Sequence, residues 1–150
     1  MNWMDFMMRI LLAVLLGFLI GLERQITGHT AGIRINVLIS MGSCLFLMFP
    51  IITGSDEVYR IASYIVSGVG FLCSGVIFKD GGTVRGLNTA ATLWCTAAIS
   101  VLASSGYFLL ASAATGTLIL SNLLFRPLSM KVRAVTGWEE REKLYRISIT

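Results

Sequence analysis

The sequence predicts an all-α integral membrane protein with five transmembrane helices, its N-terminus outside and its C-terminus cytoplasmic. Three observations carry this. The 150-residue chain is 55% hydrophobic and only 13% charged, with a mean hydropathy of +0.79, which is a membrane composition. Five apolar runs, at about 4–22, 35–53, 61–78, 87–105 and 107–125, each approach the roughly 20 residues a helix needs to cross the hydrocarbon core. The charged residues fall in the turns between those runs and sort by sign.

The first run, ending at Leu22, is read as a retained span. Asp5 precedes Arg9, no basic cluster leads the apolar stretch, and GFLIGLERQ follows where a signal peptide would carry a small-residue cleavage site. Arg9 lies inside this run and either snorkels outward or faces a polar cavity. The turn to the second span, ERQITGHTAGIR, sets Arg24, His29 and Arg34 against Glu23. Pro50 is expected to end the second span. The next turn, TGSDEVYR, is the acidic one, with Asp56 and Glu57 against Arg60. After the third span comes KDGGTVRG, with Lys79 and Arg85 against Asp80. The turn between spans four and five, SSG, is uncharged. Arg126, Lys131 and Arg133 follow the fifth span, with no acid until Glu139. Lys and Arg concentrate in cytoplasmic loops, which sets the orientation. The net charge of +4 reflects these inner turns and does not suggest nucleic-acid binding.

Residues 1–126 are therefore expected to form the membrane domain, and 127–150 a cytoplasmic linker with the first strand of a shortened second domain. From Trp138 the composition turns charged. YRISIT then alternates Tyr145, Ile147 and Ile149 with Arg146, Ser148 and Thr150, a strand pattern that is not stable alone.

Small residues mark the helix contacts. Gly17 and Gly21 form a Gly-xxx-Gly pair in the first span, and Gly68, Gly70 and Gly75 lie in the third. Such residues let backbones approach closely in lipid, either within one bundle or between two copies of the chain. Hairpins 1–2 and 3–4 each place an acid and then an arginine at the inner turn, the pattern of a weak repeat. Cys44, Cys73 and Cys95 all lie inside spans and form no CxxC pair. They read as small packing residues, with no disulfide framework or metal cluster.

The candidate functional residues gather at the inner hairpin ends. Glu23 either turns into the bundle to pair with Arg34 or Arg85, or stays in water at the interface. Arg34 either anchors the second helix or serves a site. Asp80 would bind a cation, accept a proton or cap its turn. With Glu23 it would offer two carboxylates to Mg²⁺ if the hairpins converge, and metal binding is otherwise left open. Asn88 is placed to cap the fourth span. Thr89 and Thr92 share one face of it and bond backbone carbonyls or line a path. His29 reads as a solvated loop histidine. No Ser/His/Asp set, HExxH, P-loop or dinucleotide-binding pattern occurs, so no enzyme activity and no cofactor are expected.

At this point the motifs are recognisable. G-xxx-GLERQ followed by AGIR, then SGVGFLCSGVIFKDG, then VRGLNTAATLWCTAAI resemble the MgtC/SapB family of bacterial inner-membrane proteins over about residues 6–125. AGIRI stands for the family's AGLRT, and FLCSG for its FLGAG, with Cys73 and Ser74 keeping the small size. Asn88, Trp94 and Cys95 match the GLNTAATLWC version of the MgtC branch. The resemblance implies a five-span domain with a small cytoplasmic ACT-like α/β domain. It also implies a role in low-Mg²⁺ growth and survival inside macrophages, restraint of the F1Fo ATP synthase and an effect on membrane potential. Direct Mg²⁺ transport is not implied. By carry-over, Glu23, Arg24, Arg34, Asp80, Arg85, Asn88, Thr89 and Cys95 are the positions of interest. The expected partners are the bilayer, a membrane subunit of the ATP synthase and, as a homodimer, a second copy. A channel or transporter for a cation, a proton or an anion is the competing reading, and a sensor module working through the cytoplasmic domain is a third.

Overall fold

A computed structural model describes residues 2–80 and 83–136, with the side chains of all of these except 80, 83, 129, 130 and 132–136. The described residues form a bundle of five helices and one small hairpin: α1 (Trp3–Ile26), α2 (Ile33–Thr53), α3 (Val58–Ser74), β1 (Phe78–Asp80), β2 (Thr83–Arg85), α4 (Leu87–Ser104) and α5 (Phe108–Thr136). Among the described residues four helices are long and apolar enough to cross a membrane; in α5 that portion is Phe108–Leu128. At 17 residues, α3 spans only about 26 Å, short of a hydrocarbon core about 30 Å thick.

The bundle is apolar outside and polar inside. Exposed side chains include Leu11, Leu15, Leu38, Phe46, Phe71, Leu109 and Leu124, whereas Arg24, Asn36, Ser40, Thr96, Ser100 and Ser104 are buried. Water would not sustain that distribution; lipid favours it, because polar groups must then find partners within the protein.

The centre is made by α1, α2 and α4. Thr92, Thr96, Ser100 and Ser104 recur every fourth residue, so they share one face of α4. The Asn36 amide donates to the Ala31 and Gly32 carbonyls at 3.0 Å each, and its Oδ1 lies 3.0 Å from the Thr96 hydroxyl. Ser40 donates to the Ala13 carbonyl at 2.6 Å, and Ser100 donates to the Ser40 carbonyl. These bonds stitch three helices together where lipid gives no hydrophobic drive for association. Gly17 and Gly21 make the approach of α1 to α2 close. A Cβ on Gly17 would stand 2.7 Å from Ser40 Cβ, and one on Gly21 would stand 2.5 Å from Ile33 Cα. Apolar clusters flank this seam, one around Ile20, Met48 and Ile99, the other around Leu47, Val69 and Leu93.

Several boundaries differ from the sequence expectation. Pro50 does not end α2, which runs on to Thr53 and closes at Gly54 with φ +68°. Proline forfeits one helical bond, and Thr53 and Gly54 still reach the carbonyls of the preceding turn. The third helix ends at Ser74 rather than near residue 78. The chain turns at Gly75–Ile77 and pairs Phe78 with Arg85, Lys79 with Val84 and Asp80 with Thr83. The α1–α2 and α3–α4 turns are thus unlike, a short loop at Thr27–Gly32 and a pairing of β1 with β2. α5 passes through Pro127 to Thr136, beyond the apolar run expected at about 107–125. The charged stretch and strand pattern of 138–150 lie outside the described residues.

Gly68 and Gly70 meet no atom within 4 Å, and Gly75 meets the Leu72 carbonyl at 3.3 Å. The α3 glycines therefore do not mediate close helix contacts in this chain, unlike the α1 pair. Arg9 settles at the opposite end of the bundle from Arg24. It pairs with Asp5 at 3.1 Å and donates to the Ser104 carbonyl at the end of α4, instead of facing a cavity.

Candidate functional site

Arg24, His29, Asn88 and Thr89 gather where α1 ends, α4 begins and α5 passes, with Glu23 beside them. Arg24, in the last turn of α1, is 1% exposed. Its Nη2 donates to the Thr89 hydroxyl at 3.3 Å, and its Nε has no hydrogen-bond partner. Among the described residues no carboxylate stands within ion-pair distance of it. Glu23 is also buried, but it answers to other groups. Its Oε2 accepts from Asn122 of α5 at 3.1 Å, and its Oε1 lies 3.3 Å from the Thr27 hydroxyl. The expected pairing of Glu23 with Arg34 or Arg85 is absent. Arg34 and Arg85 are both exposed, each carried outward by its own turn.

His29 is not simply solvated. Its Nδ1 lies 2.8 Å from the Thr27 hydroxyl, which is 2.8 Å from the Glu23 carbonyl. An Nδ1–H donating to the hydroxyl, with the hydroxyl donating to the carbonyl, satisfies all three groups. Burial, with Arg24 and Arg126 nearby, pushes the imidazole pKa below its ordinary value. Protonation therefore favours the unfolded chain. Stability is untouched well above the ordinary value of about 6.5 and falls as pH drops through it. Thermal unfolding in detergent from pH 8 to pH 5 is expected to show a steeper loss for the wild type than for His29→Gln. Equal slopes would contradict the assignment.

Arg24, His29, Asn88, Ser121, Asn122 and Arg126 line a cavity of about 470 Å³. Asn88 does not cap α4; Gly86 occupies that position with φ +90°, and no side chain bonds the helix start. Asn88 is left exposed at the cavity wall. Thr92 donates to the Asn88 carbonyl at 2.9 Å. Cys95 is half-buried on α4 and takes no part in the cluster. The backbone of Asp80 closes β1, and its side chain lies outside the described residues. Among the described residues no three His, Cys, Asp or Glu side chains gather as a metal site.

The motif residues Arg24 and Thr89 are thus brought into contact by the fold, and the chain as a whole resembles known proteins. A family model described as the MgtC family matches residues 10–131. The chain belongs to the MgtC family. It is 44% identical over 145 residues to Protein MgtC of Salmonella typhi, covering 97% of this chain and 63% of that protein. It is 50% identical over 117 residues to Protein MgtC of Brucella abortus (strain 2308), covering 77% of this chain and 49% of that protein. The chain therefore spans less than two thirds of the length of these curated relatives. No solved structure matches it.

In this MgtC-family chain, sequence reasoning missed Thr27, Asn122, Ser121 and the Asn36–Thr96 contact. Asn36, Ser40 and the four-residue spacing from Thr92 to Ser104 were visible as polar residues inside apolar runs, which is the signal for buried partners in lipid. Asn122 sits 99 residues from Glu23, and no local pattern announces that pairing.

Proposed function

We propose that this protein is a membrane regulator associated with low-Mg²⁺ adaptation and survival inside macrophages. It acts by binding another membrane complex, such as the F1Fo ATP synthase, and so affects membrane potential. The protein sits in the bacterial inner membrane with the Arg24 end towards the cytoplasm.

One observation carries the reading. Between α2 and α3 lies a groove of about 640 Å³, walled by Leu38, Phe46, Ile61, Tyr64 and Leu72. Gly42 and Gly68 lie along it, and neither meets an atom within 4 Å. A groove with small residues open along it accepts a helix of another membrane protein at close range. The bundle interior, in contrast, is self-satisfied. Among the described buried side-chain nitrogens and oxygens, Arg24 Nε alone lacks a partner. Ions moving through a bundle need polar groups that are free to exchange with them, which makes transport the weaker reading.

The test is a photo-crosslinker placed at Leu38 in the groove, with one at the 82% exposed Leu109 on α5 as the lipid-facing control. Crosslinks to an ATP synthase membrane subunit are expected from Leu38 only, and Gly68→Leu is expected to remove them while leaving the fold intact. Equal labelling from both positions, or crosslinks unchanged by Gly68→Leu, would contradict the reading.

A further inference from the structure

We propose that the cavity bounded by Arg24, His29 and Arg126 binds a phosphate-bearing anion. Arg24 is almost completely buried, and among the described residues its Nε donor meets no acceptor. A buried guanidinium without a carboxylate carries a large desolvation penalty. Among the described residues its side chain bonds the Thr89 hydroxyl, a long contact to an uncharged acceptor. The partner that removes the penalty is an oxyanion able to accept from the planar fork, and phosphate matches that geometry.

The rest of the cavity fits the same ligand. Arg126 adds a second guanidinium, and the Asn88 amide and Ser121 hydroxyl supply neutral donors. The Glu23 carboxylate, which would repel an anion, is engaged by Asn122 and Thr27 and is not part of the cavity lining. The volume of about 470 Å³ holds a phosphate group with its waters or a small phosphorylated headgroup. The cavity lies at the ends of the apolar helices, where both free phosphate and a phospholipid headgroup are within reach. The site stands apart from the α2–α3 groove, and neither proposal depends on the other.

Two arms distinguish the sources. The purified full chain is titrated calorimetrically with inorganic phosphate in a non-ionic detergent. Its thermal stability is then compared in nanodiscs of phosphatidylcholine with and without phosphatidylglycerol. The variants are Arg24→Met, which replaces a buried unpaired charge with an apolar chain of similar length, and Asn88→Asp. The latter sets a carboxylate at an exposed position of the cavity wall and spares the fold. Saturable phosphate binding, weakened about tenfold or more in both variants, is expected, since one charge-assisted hydrogen bond is worth that much. Stabilisation by phosphatidylglycerol alone, lost in both variants, identifies the phosphate as a headgroup. No response in either arm, or a response that folded Asn88→Asp retains in full, overturns the proposal.

Discussion

Gly86→Ala is expected to prevent the chain from reaching a stable folded state. Gly86 opens α4 with φ +90°, a region that costs an L-residue about 1–2 kcal/mol. A Cβ there would stand 1.9 Å from the Val76 carbonyl oxygen and 2.9 Å from its carbon. Both are backbone atoms, held by the turn that leads from α3 into the β-hairpin, so no side chain can swing aside. Relief would require α4 to retreat at its N-terminus. That retreat takes Thr89 from Arg24 and Ala90 from its 3.2 Å contact with Cys73 Sγ. The total cost is expected to exceed about 3 kcal/mol. Gly54 isolates the strain from the clash. Its φ of +68° is similar, but a Cβ there meets nothing within 4 Å, so Gly54→Ala is expected to cost only about 1 kcal/mol. Unfolding in detergent followed by circular dichroism measures both. Near-equal losses would show that the close approach at Val76 is not what Gly86 serves.

Gly21→Ala is expected to be nearly as damaging, for a different reason. Gly21 is helical and unstrained, but its missing side chain is the space that the start of α2 occupies. A Cβ would lie 2.5 Å from Ile33 Cα and 3.0 Å from the Gly32 carbonyl oxygen. Overpacking against backbone costs on the order of 3 kcal/mol, and it would part α1 from α2 beside Arg24. Gly68→Ala is the contrasting case. With open space around it, the substitution removes a flexible residue from a helix and is expected to be neutral or to stabilise by up to about 1 kcal/mol. The reverse ranking would contradict the packing described for α1 and α2.

Helix number and the placement of α1, α2 and α4 were legible because about 20 apolar residues in a row admit few other readings. The end of α3 was not, because Val76, Ile77 and Phe78 are as apolar as the helix before them. Only the cross-strand pairing of Phe78 with Arg85 tells the hairpin from a further turn of helix. The motif residues Glu23, Arg24 and Thr89 were found, but their partners were not. Charge complementarity suggested that Glu23 would seek Arg34 or Arg85, whereas Arg34 at the start of α2 and Arg85 at the end of β2 are both exposed and Asn122 of α5 comes in instead. The α1 and α3 glycines looked alike in sequence. Their roles parted because α1 packs face to face with α2, while α3 stands off from it and leaves the groove.

The central claim is that this protein works by docking against a membrane complex and not by carrying ions itself. It is tested most directly by co-reconstituting the purified chain with F1Fo ATP synthase in liposomes and following ATP-driven proton pumping. An imposed proton gradient is followed in parallel, in liposomes holding this protein alone. The account predicts that wild type slows pumping, that Gly68→Leu does not, and that the imposed gradient decays as it does in empty liposomes. A gradient that collapses with this protein alone, equally for wild type and Gly68→Leu, would contradict it and make the protein a conductor of ions.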